Sequence, residues 1–445
     1  MIRTFRLITM AVVVVGSVRT PVVRAQDTLR VSQLQELALR TDPRTAQFEL
    51  LRKASDLRRA AIGSERLPQV SLNGWASHQS DVTHPSLNVP GAVFPDLPRN
   101  RWQSTIDVDQ LLYDGGNTSR RRALERARYA ESAAEVNVAL YGLRSEVNSA
   151  FFSAFLLQQR SAEYEALVTD LDARLAAVRA RVDAGTALRR EAAEVEAERV
   201  RATLQRDEAQ AARRASLAIL ADLAGIAVDT TAVLVLPAEE PEKTQTPSPA
   251  ELAVLRRRPE FERLYQSRIR LGQEAALAGT ENAPRVSAFG QTGLGLPGLD
   301  QFRTTSDAFW QAGVRVAWQP WTWRAAGRKA EALQQEQRVL ETEEKALARS
   351  LSRAVITNLE DIKRLSAALA EDQRVVNLRA EVERQARLQH DEGAITTADY
   401  VETRTNVLEA RLTLQRHRVE LAQARAAYLT TLGLTPRQAE SRTYD

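Results

Sequence analysis

The clearest pattern along the chain is a narrow apolar stripe that advances by three and four residues. Leu167, Leu171, Leu175, Val178 and Val182 carry it in one tract. Leu347, Leu351, Val355, Leu359, Ile362 and Leu369 carry it in another, and Leu412, Val419, Ala422, Ala426 and Leu429 resume it after a break. Such steps set side chains along one line of a helix, and alanine in that line lets helices approach closely in the manner of a coiled coil. No proline occurs from Arg99 to Leu236 or from Trp321 to Thr435, so neither tract contains the residue that breaks helix interiors. Thr118 to Asp183 alone spans 66 residues, a rod of about 100 Å. A compact globular core has no use for such a rod.

Four short stretches switch to alternation: Val70–Ser77, Thr105–Leu112, Val286–Thr292 and Gly313–Trp318. Alternation suits a membrane β-strand with lipid on one face and water on the other. All six tryptophans lie in or beside these stretches, namely Trp75, Trp102, Trp310, Trp318, Trp321 and Trp323. They are expected as membrane-interface aromatics, because an apolar ring with one N–H donor favours that boundary. Four strands cannot close a barrel, and an open edge cannot sit in lipid. Copies must therefore pool their strands, and three copies give twelve. The segments between paired strands, His78–Asn100 with four prolines and Gly293–Asp307, read as surface loops.

The chain is a tandem duplication. Leu37–Arg40 with Pro43 matches Ala253–Arg256 with Pro259, and Leu67-Pro68-Gln69-Val70-Ser71 matches Ala283-Pro284-Arg285-Val286-Ser287, both at an offset of 216. Trp102-Gln103 matches Trp310-Gln311, and Ala184-Gly185-Thr186 matches Glu392-Gly393-Ala394, both at 208. The expected layout is a signal at 1–25, a first repeat at 26–227, a connector at 228–250, a second repeat at 251–432 and a tail at 433–445.

Composition narrows the function. Arg3 and Arg6 precede a short apolar run from Leu7 to Val15, and Val23-Arg24-Ala25 resembles a cleavage site. This reads as an export signal cut before Gln26. The sequence has no cysteine, which removes disulfides, thiol catalysis and Cys-metal sites. The formal charge is +4, but four arginines and no acid lie in the signal. The remainder is neutral with mixed signs, unlike the one-signed face of a nucleic-acid binder. No stretch holds 18 consecutive apolar residues, so no transmembrane helix is expected. The four histidines, His78, His84, His390 and His417, are scattered and belong to no catalytic motif. An enzyme is not expected, and no cofactor or metal is. A soluble periplasmic coiled-coil adaptor or structural protein is the alternative. It accounts for the helices but not for the four Trp-marked strands.

The chain resembles the TolC-like outer-membrane efflux family over essentially the whole sequence after residue 25. The marks are Leu-Tyr-Asp-Gly-Gly at 112–116 leading into Arg120-Arg121-Arg122, the strand lead-ins Leu67-Pro68 and Ala283-Pro284, and the glycine tips Ala184–Leu188 and Glu392–Ile395. The resemblance implies a mainly α fold with a small β part. Long antiparallel helical hairpins form a periplasmic α-barrel, and four strands per chain enter a twelve-stranded outer-membrane β-barrel. It implies a homotrimer in outer-membrane lipid that serves as the passive exit duct of an efflux or type I secretion system. A periplasmic adaptor would dock at Gly185, Thr186, Ala187, Leu188, Gly393, Ala394 and Ile395. That adaptor would bridge to an inner-membrane pump of RND, ABC or MFS type. Asp399 and Glu402, six and nine residues after Gly393, match the acids that line the entrance constriction, and Glu191 and Glu194 match their spacing after Gly185. Two departures stand out. The Tyr and Arg of a family latch are replaced by His390, expected as an exposed bystander, and by Ile395. The second strand-to-helix turn reads Trp321-Thr322-Trp323-Arg324 instead of an Asp-Gly-Gly type, which leaves its geometry free to differ.

Overall fold

The computed structural model describes residues 28–82, 97–237, 255–301 and 303–434. The expected signal, His84, Pro85, Pro90, Pro95, most of the connector and nearly all of the tail lie outside the described residues. In chain order the elements are β1 (Thr28–Leu29), α1 (Val31–Thr41), α2 (Gln47–Ser64), β2 (Gln69–His78), β3 (Asn100–Tyr113), α3 (Asn117–Asp183), α4 (Arg189–Ala224), β4 (Val233–Leu234), α5 (Pro259–Ala278), β5 (Arg285–Leu296), β6 (Asp307–Ala317), α6 (Ala325–Asp391) and α7 (Thr397–Leu432). The fold is mainly helical with a small β part, as expected.

The two halves correspond in their long helices and in strand register. Helices α3 and α6 both have 67 residues and start 208 apart, and α4 and α7 both have 36 and start 208 apart. Strand register obeys the same offsets. Val70 faces Val108 in the first hairpin, and Val286 faces Val316 in the second.

The chain divides into two compact units. One comprises Met1–Thr45, Leu140–Leu255 and Leu351–Asp445, and the other Ala46–Ala139 and Arg256–Ser350. In the first unit the middle of each predicted stripe is buried. Leu167, Leu171, Leu175 and Val178 pack with Val195, Ala202 and Leu408, while Ile362 and Leu365 pack with Leu421. A second cluster gathers Leu34, Ala38, Phe151, Phe152, Leu217, Leu220 and Leu234, with the two phenylalanine rings edge to face at 5.4 Å. Strands β1 and β4 pair in parallel over this cluster. Two residues each are too short to leave a periodic signal, and they were not expected. Helix α4 stops at Gly225, whose φ is +62° and whose missing Cβ would meet the Thr41 side chain at 2.6 Å.

The second unit carries a four-stranded antiparallel sheet in the order β2-β3-β5-β6. The strands outrun the alternating stretches. Strand β5 continues to Leu296 through Gly290, Gly293 and Gly295, where a loop was expected from Gly293. A Cβ at Gly293 would lie 2.3 Å from the Ser104 carbonyl oxygen. The glycine therefore marks close approach of two strands rather than a turn.

Candidate functional site

The sheet sorts its side chains by face. Successive strand residues point to opposite sides, and registered partners share a side. One side carries Val70, Leu72, Ile106, Val108, Leu294, Trp310, Val314 and Val316. All of these are exposed, Leu72 at 77% and Trp310 at 75%. An apolar face of this extent marks a surface that something covers.

The opposite side is polar. Asn73 donates to Asp107 Oδ2 at 2.6 Å, Gln291 donates to Asp107 Oδ1 at 2.5 Å, and Gln311 donates to Gln291 Oε1. One hydrogen-bonded row thus crosses all four strands. Arg315 and Asp109 pair at 3.5 Å on the same side. Among the described residues the outer edges of β2 and β6 have no strand partner.

The tryptophans fall at two levels. Trp75, Trp102 and Trp310 lie toward the end of the sheet where each strand pair joins. Trp318, Trp321 and Trp323 follow β6 at the helix side. Trp310 and Trp318 are eight residues apart, about 26 Å along a strand, close to the ~25 Å apolar band of an outer-membrane barrel. Trp75 departs from the expected grouping. It points to the polar face and donates Nε1–H to Gln103 Oε1 at 3.0 Å.

The second strand-to-helix turn keeps the backbone hand of the first. Gly115 and Gly116 have φ of +64° and +88°, and Trp323 and Arg324, exactly 208 further on in register terms, have φ of +51° and +59°. Both turns are left-handed, the second without glycine. Trp321 and Trp323 stack edge to face at 5.7 Å there.

In the first unit, the hairpin tips are near copies. Gly185 and Gly393 adopt φ of +73° and +75°, and no atom lies within 4 Å of a Cβ built on either. Thr186 N–H donates to the Arg181 carbonyl at 2.8 Å, and Ala394 N–H donates to the Gln389 carbonyl at 2.7 Å. These are the bonds of a glycine-terminated helix. Leu188 beside the first tip is exposed, and Ala187 and Ile395 are half-buried.

Asp399 and Glu402 are both exposed, three residues apart on α7, which puts them on one side of the helix. Asp399 also has a local task. Its Oδ2 accepts from Thr396 N–H at 3.1 Å and from Thr396 Oγ1 at 2.7 Å, while Thr396 Oγ1 accepts from Asp399 N–H, a capping box. The Thr396 hydroxyl, then its amide, hold the Asp399 carboxyl below the usual range. Glu191, the equivalent acid, accepts from Leu188 N–H at 3.2 Å and from Thr397 Oγ1 at 3.4 Å, so it bridges the two tips.

His390 is not an exposed bystander: it is 7% exposed, its Nε2 lies 3.1 Å from Thr397 Oγ1, and its ring sits 5.5 Å from Tyr400. Tyr400 anchors a cluster that sequence reasoning missed. Its hydroxyl donates to Glu383 at 2.8 Å, and the Arg174 guanidinium lies 3.7 Å from its ring centre. Arg404 reaches Asp170 at 3.3 Å and Glu383 at 3.9 Å. Burial, followed by the bond to Glu383, pushes the Tyr400 hydroxyl well above its ordinary pKa. The cluster ties α3, α6 and α7 together. Each member is a lone polar residue on a charged helix, so no spacing in the sequence marks it.

No family model matches the chain, and no curated protein does. Solved structures do. CusC, whose structures concern transmembrane channel formation, aligns with a TM-score of 0.70 at 14% identity over 91% of this chain and 92% of that one. The Campylobacter jejuni outer membrane channel CmeC aligns at 0.67 and 15%, over 93% and 88% of the two chains. The open state of the Neisseria gonorrhoeae outer membrane channel MtrE aligns at 0.65 and 17%, over 91% and 89%. Across nearly its whole length, this chain has the fold of solved outer-membrane channel proteins.

Proposed function

We propose that the protein is an outer-membrane exit duct of the TolC type, in which three copies pool four strands each into a twelve-stranded barrel and their hairpins line a periplasmic tunnel. The observation that carries this reading is the sheet: one exposed apolar face, one polar hydrogen-bonded face and two unpaired edges. Backbone groups in lipid must be satisfied, and only a closed barrel does that for strands. Exposed Val375, Leu378 and Val382 on α6, spaced by three and four, add an apolar line suited to a neighbouring copy. The fold shared with outer-membrane channels supports the same placement.

In this reading the duct is passive and binds no nucleic acid. The glycine tips meet a periplasmic adaptor that connects to an RND, ABC or MFS pump of an efflux or type I secretion system. Open backbone at Gly185 and Gly393, with exposed Leu188 beside the first, is what such a partner can grip. Three copies of Asp399 and Glu402 set six carboxylates around the entrance, and such a ring favours cations. Asp399→Asn with Glu402→Gln keeps the capping acceptor and lowers cation preference in planar bilayers. An unchanged preference removes the ring from the account. The whole reading is tested by fractionation and light scattering in mild detergent: it expects an outer-membrane trimer, and a monomer in the soluble periplasm refutes it.

A further inference from the structure

The second unit holds an arginine-lined groove that the duct reading does not use. Helix α2 and the start of α3 form it from Arg59, Arg66, Arg122, Arg126, Thr118 and Ser119. Two of the four guanidinium groups are partly neutralised, Arg59 by Asp56 at 3.2 Å and Arg66 by Asp114 at 3.4 Å. Arg59 Nε nevertheless stays buried without a hydrogen-bond partner. Arg122 and Arg126, one turn apart and exposed, have no carboxylate partner among the described residues. The groove is therefore strongly positive.

The duplication shows that the fold does not require this charge. Offsets of 216 and 208 carry Arg59, Arg66, Arg122, Arg126 and Ser119 onto Ala275, Asn282, Ala330, Gln334 and Gly327. Where the first half pairs Arg66 with Asp114, the second bonds Thr322 Oγ1 to Asn282 Oδ1 at 2.9 Å. A neutral contact holds the same turn. Arg66 and Thr118, which both bond Asp114, belong to the turn, whereas Arg122, Arg126 and Ser119 have no such task and read as a recognition feature.

Their position selects the ligand. Arg66 is three residues before β2, and Thr118 is five residues after β3, so the groove sits at the helix side of the sheet. Trp318, Trp321 and Trp323 occupy that same side. We infer that the groove binds the phosphate of an anionic phospholipid headgroup, with Arg122 and Arg126 supplying the free charge and Ser119 a hydroxyl donor. Guanidinium forks match phosphate oxygens in geometry and charge. This inference rests on the membrane placement proposed above.

The test uses the purified full chain in nanodiscs of phosphatidylglycerol and phosphatidylcholine in equal amounts, with retained lipid read by native mass spectrometry after transfer to detergent. The parent retains phosphatidylglycerol over phosphatidylcholine. Arg122→Gln with Arg126→Gln, which breaks no ion pair, weakens that preference about thirtyfold. Arg349→Gln with Arg353→Gln, two exposed arginines further along α6, leaves it unchanged. Circular dichroism and oligomer size confirm that both variants are folded. Insertion without any lipid preference, or equal loss in both variants, overturns the groove and leaves the duct reading intact. Failure to enter nanodiscs of either lipid overturns both. Displacement of phosphatidylglycerol by inorganic phosphate at equal concentration overturns the lipid source, because a soluble anion then suffices.

Discussion

At the strand-to-helix turns the first half places Gly115 and Gly116 where the second places Trp323 and Arg324, and both pairs adopt left-handed backbone. At the tips the second half stacks His390 on Tyr400, where the first has Val182 and Ala192, two partly buried apolar groups. The α7 start is capped by Thr396 and Asp399, whereas the α4 start has Leu188 and Glu191. Duplication has preserved left-handed turns, the lengths of the long helices and strand register while the side chains that secure them diverged. Backbone is held by many neighbours at once, and a side chain can be replaced whenever another contact takes over. The comparison therefore shows which chemistry is optional, and it can be broken at chosen points.

The largest effect is expected at Tyr400. Tyr400→Ala empties a fully buried site and costs about 3–5 kcal/mol. Tyr400→Phe keeps the ring but strips Glu383 of its donor, for about 1–2 kcal/mol. Urea unfolding should separate the two. If Tyr400→Ala is silent, the second tip does not depend on its cluster.

The strand-to-helix turns come next. A Cβ at Gly115 would lie 2.0 Å from Ala283 Cβ, and one at Gly116 meets nothing within 4 Å. Gly115→Ala should cost about 2–4 kcal/mol from overpacking added to left-handed strain. Gly116→Ala carries the strain alone, about 1 kcal/mol. Arg324→Gly should reverse the sign and stabilise by about 1 kcal/mol, because it relieves the same strain. Equal costs at 115 and 116 would contradict the steric distinction.

The smallest effect is a pH dependence at the second tip. The Asp399 carboxyl is lowered by its Thr396 bonds, so its cap is fully present above the unfolded value of 3.8 and is lost as pH falls through the folded value. Amide protection at the start of α7, taken relative to the intrinsic exchange rate at each pH, should stay flat from neutral pH to about 5 and fall below about 4. Asp399→Ala should remove that pH dependence. A parent protein with no acid transition at these amides would show that the cap contributes nothing.

Much of this architecture was legible in the sequence because it repeats. Proline-free tracts, stripes at steps of three and four, and two glycine tips mark helices whose lengths then agree to the residue. The strand ends were not legible. Gly293 and Gly295 look like a loop until the closeness of Ser104 to Gly293 shows why a side chain is excluded there. Trp323 and Arg324 concealed a left-handed turn because neither residue type signals one. The tip cluster was hidden for a different reason. Asp170, Arg174, Glu383, Tyr400 and Arg404 meet only when three helices pack, and singly each reads as a solvated face. Of the expected constriction acids, Asp399 proved to have a capping role that the spacing alone did not reveal.

The central claim is closure of the sheet between copies, and the duplication specifies its register. Adding 208 to Ile106 and taking 216 from Thr292, which pair between β3 and β5, places Val314 of one copy opposite Ala76 of the next. Both residues lie on the apolar face, as closure demands. Directly opposed strand residues have Cα atoms about 4.5–5.5 Å apart, within disulfide reach, and the sequence has no competing cysteine. Within one copy the two positions lie on opposite edge strands, separated by three strand spacings, about 14 Å, across the sheet and by a further displacement along it, so they cannot link to each other. Under mild oxidation, Ala76→Cys with Val314→Cys should yield covalent dimers and trimers on a non-reducing gel. Leu72→Cys with Val314→Cys, displaced by four residues or about 13 Å along the strand, should not. A protein that stays monomeric at Ala76 and Val314, or links equally well at both pairs, would contradict the closed trimeric barrel.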